Sequence, residues 1–433
     1  MSYGSPFTPK PGDVPLWPHG RAAEFDAIRD LAQRVAAGEV GDTNGLLIHG
    51  TQGIGKTALL NAASKQLADG GWQVAVISKY DSHDLSDIFR NSVDSQRMRG
   101  FAARARERSA RLKGSVHGGS LSIGLLRGVG ASVEIGPSKT TCDVAQQLVD
   151  AGQRAARSAR PAMILVDDLE NWSPSELRQL CTGLEQCSRA GSPVGVIATS
   201  APAGDLRLAR ADRAGVINAR RLGPLTPSEA LAVLLHTAGA RGIAIEPGAY
   251  ERLLTFSRGH PQRLQLAAHE ACKAMSPNSA LLTVAAADHG IERAIPKLDR
   301  QVHAPKWHIL TPAEQSVAQA LASVGGNLPR ARAVLRAHLP RADRAQFEPA
   351  CDALVRKDVV IEDAAGRLAF SNPGTEAWIL RHRPPIGSPI HVLRGSPQQR
   401  PLSSRTAGSG RRAKQLGQGA SADQRSRRGI GGP

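Results

Sequence analysis

Eight consecutive residues combine flexible backbone positions with one amine and one hydroxyl: Gly50, Thr51, Gln52, Gly53, Ile54, Gly55, Lys56 and Thr57. They fit the pattern G-x-x-x-x-G-K-[ST], and they lie between an apolar run and a helical stretch, as that pattern requires. In such a loop the backbone N–H groups curl around phosphates, the lysine neutralises the β- and γ-phosphates, and the last hydroxyl holds Mg²⁺. The positive end of the following helix dipole adds to this attraction. The segment therefore predicts a site for ATP with Mg²⁺.

Two adjacent carboxylates, Asp167 and Asp168, end a second apolar run further along the chain. Asp167 would accept the hydration shell of Mg²⁺, and Asp168 would orient or deprotonate an attacking water. Adjacent carboxylates at the end of a strand can also cap a helix, and this alternative stays open for the pair taken alone. The phosphate loop upstream favours the metal and water roles, because the two signals agree.

The elements that must position these residues alternate between strands and helices. Continuous apolar runs of the kind that a fully buried strand needs are separated by stretches with helical periodicity. This alternation predicts an α/β fold in which a parallel sheet lies between two layers of helices. The predicted strands are 45–49, 74–77, 162–166 and 194–198.

Beyond about Arg221 the strand signals stop and helix starts recur. Thr226-Pro-Ser-Glu229 and Thr311-Pro-Ala-Glu314 each offer a capping hydroxyl, a proline at the first helical position and a glutamate that reaches back. Ser173-Pro-Ser-Glu176 repeats this pattern earlier in the chain. Helices followed by a two-stranded hairpin near residues 359–370 indicate a winged helix-turn-helix.

The chain of 433 residues has room for several domains. The predicted segments are an extended lead-in at 1–19, an ATPase core at 20–222 with a basic insertion at 97–135, a helical lid at 223–300, a winged helix-turn-helix at 301–383 and a disordered basic tail at 384–433.

The amino-acid composition and the charge distribution of the chain exclude some classes of function. The net charge of +17 is concentrated in two segments, 97–113 and 381–433, which could bind DNA or another polyanion without sequence preference. Fifteen aromatic residues are too few for an aromatic base-stacking platform. The five cysteines form no C-x-x-C pair, and neither a membrane-length apolar run nor a basic signal-like start is present. A reduced, cytoplasmic protein without membrane contact is the default expectation.

Over about residues 5–382 the sequence resembles the AAA+/STAND P-loop ATPases, specifically the Orc1-like ATPase group with a C-terminal winged helix. The segments that carry this resemblance outside the phosphate loop are Pro6-Phe-Thr-Pro9, Gly20-Arg21 with Glu24, Val166-Asp-Asp-Leu169 with Trp172, Ala198-Thr-Ser200, Leu222-Gly-Pro-Leu225 and Gly259-His-Pro261 with Arg263.

The resemblance implies roles for four residues beyond the loop and the acidic pair. Arg21 would belong to a segment that closes over the adenine side, and Pro261 would lie near the base within the lid. Thr199 would be the polar sensor 1 residue at the γ-phosphate, and Arg263 a candidate sensor 2 contact. From the residues alone, Thr199 can equally be a structural β-branched residue and Arg263 an exposed helix residue.

The resemblance also bears on activity. Many AAA+ enzymes carry Glu where this chain has the shorter Asp168, so we expect slow ATP hydrolysis. We expect this hydrolysis to be coupled to conformational switching and to nucleic-acid binding. The alternative is a regulatory or scaffold ATPase that acts on a protein partner without direct DNA binding. A homo-oligomer is possible within this family, and the candidates for an arginine finger are Arg207, Arg210 and Arg213.

Overall fold

The computed structural model describes five stretches of the chain, and they all belong to one compact unit, Met1–Ser388. The described stretches are 5–9, 20–39, 43–77, 144–276 and 279–383. The predicted basic insertion, the predicted tail and most of the predicted lead-in lie outside them. No helix in these stretches is long and apolar enough to span a membrane.

A parallel sheet of five strands forms the centre of the nucleotide-binding region, in the order β2-β3-β4-β1-β5. All four predicted strands are present, which confirms the α/β fold. Because β1 lies between β4 and β5, the loop that follows it emerges near the middle of the carboxyl edge, where open α/β sheets bind ligands. The strands are β1 (Gly45–His49), β2 (Gln73–Ile77), β3 (Ala162–Val166), β4 (Val194–Ser200) and β5 (Ile217–Arg221).

Strand β5 was not predicted, and its position explains why. It pairs only with β1, at the edge of the sheet. Four of its five residues are exposed, including Arg220 and Arg221. An edge strand does not have to bury both faces, so it lacks the apolar run that marked the other four strands.

Helices cover both faces of the sheet, as the three-layer prediction requires. On one face Leu31 and Leu60 pack with Ile48, and on the other Leu148 packs with Leu47. The alternation of Leu47 and Ile48 between the two clusters follows from the two-residue period of a strand. The helices of this region are α1 (Ala22–Ala37), α2 (Lys56–Asp69), α3 (Val144–Ser158), α4 (Pro174–Arg189) and α5 (Pro202–Ala211).

The predicted lid contains four helices that share a buried cluster of their own, which Phe7 from the N-terminal segment joins. A short parallel strand pair, β6 (Ala244–Ile245) with β7 (Leu281–Leu282), lies within it and was not predicted, since two residues carry no periodicity. The lid helices are α6 (Pro227–Gly239), α7 (Pro247–Ser257), α8 (Pro261–Ala274) and α9 (Val284–Leu298).

The C-terminal region, residues 299–383, has a third core built around Leu335, Phe347 and Trp378. Its helices and antiparallel hairpin follow one another in the predicted order. It begins with a π-helical turn at Asp299–His303 and includes a short 3₁₀ helix at Arg341–Gln346. The remaining elements are α10 (Ala304–His308), α11 (Pro312–Ser323), α12 (Arg332–His338), α13 (Phe347–Arg356), β8 (Val360–Glu362), β9 (Leu368–Phe370) and α14 (Thr375–His382).

All three predicted helix starts form reciprocal capping boxes. In α4, α6 and α11 the hydroxyl of Ser173, Thr226 or Thr311 accepts a hydrogen bond from the third helical N–H, and the glutamate at that position accepts one from the cap residue's N–H. Each box satisfies two backbone donors that a helix start leaves without intrahelical partners.

Gly290 allows helices α8 and α9 to approach closely. A Cβ atom at Gly290 would lie 2.5 Å from the Ala271 backbone nitrogen and 2.7 Å from the Ala267 carbonyl oxygen. Backbone atoms in a packed helix cannot move aside cheaply, so Gly290→Ala should lower the free energy of unfolding by about 1–3 kcal/mol. Gly239→Ala is the control, because a Cβ at Gly239 meets nothing within 4 Å. Equal urea midpoints for the two variants would contradict this prediction.

Candidate functional site

The N-terminus of helix α2 is left uncapped, unlike the helices that carry capping boxes. Its cap position is Gly55, which has no side chain to accept a hydrogen bond, and its first turn contains no acidic residue. No side chain of this turn therefore takes up its backbone N–H groups, which can donate hydrogen bonds to an external anion. The positive end of the helix dipole also attracts that anion. This arrangement is the one that phosphate-binding helix starts use.

Glycines set the shape of the loop before this helix. Gly53 and Gly55 have φ values of 79° and 101°, in the left-handed region that other residues rarely enter. A Cβ atom at Gly55 would meet nothing within 4 Å, so the space above the loop is open. The Lys56 amine donates to the Gly50 carbonyl at 2.7 Å and to the Thr51 carbonyl at 3.3 Å, which holds its charge over the loop.

The acidic pair at the end of β3 lies close to the phosphate loop. The Thr57 hydroxyl lies 3.4 Å from Asp167 Oδ1, although 110 residues separate them in the chain. The buried Thr199 hydroxyl at the end of β4 donates to the same carboxylate oxygen. It also accepts a hydrogen bond from the Asp168 backbone N–H at 3.2 Å. Thr199 thus links both carboxylate residues to the neighbouring strand.

The oxygen atoms of Thr57 and Asp167 fit a magnesium ion held jointly with phosphates. A hydroxyl and a carboxylate are hard ligands, and Mg²⁺ in proteins usually keeps waters and substrate oxygens in its remaining positions. Within the described part of the chain, no group of three His, Cys, Asp or Glu side chains could hold a metal by itself. The four described cysteines, Cys181, Cys187, Cys272 and Cys351, are buried free thiols.

The carboxyl group of Asp168 has a raised pKa. Burial raises its pKa from 3.8 to about 6, the nearby carboxylates of Asp167 and Glu170 add to this shift, and Lys56 opposes it. Its backbone has a positive φ of 53°, which is uncommon for a residue with a side chain. Asp168 is therefore ionised at neutral pH, with a pKa close enough to accept a proton.

Two of the residues carried over from the resemblance lie against the loop. The Arg21 guanidinium is buried and donates to the Ile54 carbonyl at 3.0 Å, and burial lowers its pKa. Pro261 begins helix α8, and the next residue, Gln262, donates its backbone N–H to the Gly53 carbonyl at 3.2 Å. The predicted contacts of Arg21 and Pro261 with the adenine side stay predictions.

Arg263 bonds to groups of both the lid and the C-terminal region, and its role as a sensor 2 contact stays a prediction. Its guanidinium donates to the carbonyls of Phe256 and Pro373 and lies 4.1 Å from the centre of the Phe256 ring. A lid side chain that reaches the loop is that of His260, whose Nε2 lies 3.0 Å from the Gln52 carbonyl oxygen. Burial lowers the His260 pKa to about 3, so its ring is neutral.

Residues of the C-terminal region also contact the loop, and sequence reasoning missed all of them. Asp358 Oδ2 accepts a hydrogen bond from the Gln52 backbone N–H at 3.0 Å, across 306 positions of sequence. Lys306 donates to the same carboxylate oxygen at 3.0 Å. When the Asn372 side-chain amide is oriented so that its oxygen and its nitrogen both have hydrogen-bond partners, the nitrogen donates to the Gln52 carbonyl at 3.0 Å. No local pattern marks these residues, because their partner lies in another part of the chain.

The three candidate finger arginines differ in their surroundings. Arg207 donates to the carbonyls of Glu170 and Trp172, so its guanidinium holds the turn that follows Asp168 in its own chain. Arg210 and Arg213 are exposed.

Two protein-family models match parts of the chain. Residues 18–197 match the AAA ATPase domain family, and residues 300–379 match a domain family of unknown function, DUF8462. No curated protein matches the chain. The match to the AAA ATPase domain family includes the loop and the acidic pair.

Two solved structures share the fold. A Walker-type ATPase of Pyrococcus abyssi is 13% identical with a TM-score of 0.52, and the match covers 85% of this chain and 99% of that one. The ORC2 protein of Aeropyrum pernix, solved in ADPNP and ADP complexes, is 16% identical with a TM-score of 0.55 and coverages of 86% and 95%. These likenesses show a P-loop NTPase fold with a helical C-terminal region.

The raised pKa of Asp168 predicts how the stability of the protein depends on pH. Between pH 3.8 and about 6 the folded chain keeps a proton that the unfolded chain has lost, so this group's contribution to stability falls as pH rises. Asp168→Asn should therefore be more stable than the wild type at pH 7.5, with the difference disappearing towards pH 4. Urea unfolding at several pH values measures it.

Asp363→Asn is the matched control. Hydrogen bonds from Arg367 lower the Asp363 pKa, so its charge stabilises the fold and its loss should act in the opposite direction at neutral pH. If the two variants show the same pH dependence, the assignment of the raised pKa to Asp168 is wrong.

Proposed function

We propose that this chain binds ATP with Mg²⁺, hydrolyses it slowly and uses the change of nucleotide to alter contacts among the sheet, the lid and the C-terminal region. The observation that carries this proposal is the uncapped start of helix α2, with Lys56, Thr57 and Asp167 gathered at it. An AAA ATPase domain and two structural neighbours with the same fold support it.

Each residue of the site has a defined part in this reaction. The N–H groups of the loop and the Lys56 amine bind the β- and γ-phosphates. Thr57 and Asp167 would hold a magnesium ion, which would supply positive charge to offset that of the phosphates. Asp168 orients the attacking water and accepts its proton. Thr199 holds the Asp167 carboxylate and the Asp168 backbone relative to β4, because its hydroxyl hydrogen-bonds to both.

Slow turnover follows from the base itself. The Asp168 side chain is one methylene shorter than the glutamate of many AAA+ enzymes, so its carboxylate lies farther from the γ-phosphate. A long-lived ATP complex is the form that suits a switch.

A cluster of carboxylates on helix α13 and strand β8 favours a protein partner over base reading by this helix. Arg332 bonds to Glu348 at 2.6 Å, to Asp352 at 3.3 Å and to Glu362 at 2.9 Å. Three carboxylates around one guanidinium leave this face acidic, and a phosphate backbone would repel it. Under this proposal, binding to DNA or another polyanion belongs to the basic segments 97–113 and 381–433.

Oligomerisation is a separate part of the proposal. A neighbouring copy could supply an arginine to the transferred phosphoryl group. Among the three candidates, Arg210 and Arg213 are exposed, whereas Arg207 is bound within its own chain. An assembly that forms with ATP would therefore use Arg210 or Arg213.

The central test of ATP binding is Lys56→Ala, with Lys65→Ala as the control, because Lys65 is an exposed lysine on the same helix. Loss of Lys56 should weaken ATP binding by on the order of a hundredfold, since its charge faces the phosphates. The control should bind as the wild type does. Isothermal titration with Mg²⁺ measures both. Wild-type protein that shows no ATP affinity would end the proposal.

Asp168→Asn separates hydrolysis from binding. The amide keeps the shape of the carboxylate but cannot take a proton, so kcat should fall by on the order of a hundredfold while the ATP dissociation constant changes little. Single-turnover hydrolysis measures the rate. Unchanged turnover would assign the water to another group.

Duplex DNA tests the choice of partner. We expect DNA to bind weakly, to lose affinity steeply between 50 mM and 200 mM salt and to leave the hydrolysis rate unchanged, because the contacts are non-specific phosphate contacts. Filter binding and a phosphate-release assay at both salt concentrations check this expectation. Stimulation of hydrolysis by DNA would instead support a nucleic-acid-coupled ATPase.

A further inference from the structure

The tip of the phosphate loop is held by two parts of the chain at once. His260 and Gln262 of the lid bond to the carbonyls of Gln52 and Gly53. Asp358 of the C-terminal region takes the Gln52 N–H. One of the donors at the mouth of an anion-binding loop is therefore already occupied by an anionic group of the protein itself.

The conformation and surroundings of Asp358 in this contact are energetically unfavourable. It is buried, its Oδ1 atom has no hydrogen-bond partner, and its backbone φ is 51°. A carboxylate oxygen without a partner and a left-handed backbone at a residue with a side chain both cost free energy. The surrounding contacts must compensate for these costs, so a modest change beside Asp358 is enough to alter its placement.

Lys306 supplies the compensating charge. Its amine lies 3.0 Å from Asp358 Oδ2 and also donates to the Asp358 carbonyl oxygen. Burial lowers the Lys306 pKa, Asp358 raises it, and the charge of Lys56 in the phosphate loop lowers it further. The charges of Lys306 and Asp358 thus lie within electrostatic range of the phosphate loop. The negatively charged Asp358 makes the direct contact with it.

We infer that Asp358, paired with Lys306, is a nucleotide-sensitive latch that fastens the C-terminal region to the phosphate loop and opens when phosphate charge enters the loop. This inference rests on the proposed ATP site. Phosphates and the Asp358 carboxylate carry the same sign and compete for the N–H groups of one loop. ATP brings one more negative charge than ADP, so it opposes the latch more strongly.

The latch also acts on nucleotide affinity. A ligand shifts an equilibrium only by its difference in affinity for the two states, and the coupling is reciprocal. If ATP weakens the contact of Asp358 with Gln52, that contact must weaken ATP binding by the same factor. Removing the Asp358 charge should therefore tighten the binding of ATP, and that of ADP less.

Two variants remove the charge and keep the backbone conformation. Asp358→Asn is isosteric, and asparagine tolerates positive φ better than most residues. Asp358→Gly removes the side chain at a position where glycine is unstrained. Asp352→Asn is the matched control, because it makes the same charge change in the same region at an exposed side chain bound to Arg332.

The experiment measures dissociation constants of MgATP and MgADP for the full chain and the three variants. We expect both Asp358 variants to bind ATP about fivefold more tightly or better, to bind ADP with a smaller gain and to differ from the control. Hydrogen exchange over residues 358–372 of the wild type should rise more with the non-hydrolysable analogue ADPNP than with ADP.

The outcomes separate the two proposals. Wild-type protein without ATP affinity would overturn the ATP site itself. Normal wild-type binding with unchanged or weaker ATP binding in both Asp358 variants would overturn the latch alone. Equal gains in affinity for ATP and ADP would show that the latch does not respond to the number of phosphates.

Discussion

The exposed donors at the start of helix α2 are the constraint on which the rest of the site depends. Every helix begins with backbone N–H groups that lack intrahelical partners. In α4, α6 and α11 a serine or threonine with a glutamate satisfies them, whereas α2 begins with Gly55 and no acidic residue. The free energy that a cap would contribute is thus given up at α2, and a bound anion can supply it instead.

The sheet order brings the chemistry to those donors. Strands β3, β4 and β1 are neighbours, so the side chains that follow them reach one another without long loops. This explains why a contact between Thr57 and Asp167 spans 110 residues of sequence yet needs only two adjacent strand pairs. The position of Thr199 on the strand between them lets one hydroxyl serve both carboxylate residues.

Local patterns predicted the parts of the molecule that depend on local physics. The four buried strands, the three capping boxes and the loop itself each carry a signal within a few residues, and the structure has all of them. Strand β5 escaped prediction because its exposed residues carry no apolar run. Asp358 and Lys306 escaped because their roles arise only when distant segments pack together. Arg263 has contacts that its helical position alone did not indicate, since the carbonyls of Phe256 and Pro373 both accept hydrogen bonds from its guanidinium.

The close crossing at Gly290 limits how helices α8 and α9 can move relative to each other. Since helices α8 and α9 meet backbone to backbone, they cannot slide past each other without losing that fit. The segment joining β5 to α6 includes Gly223, around which a Cβ would find open space. Any displacement of His260, at the N-terminal end of α8, would therefore carry α8 and α9 together as one rigid pair.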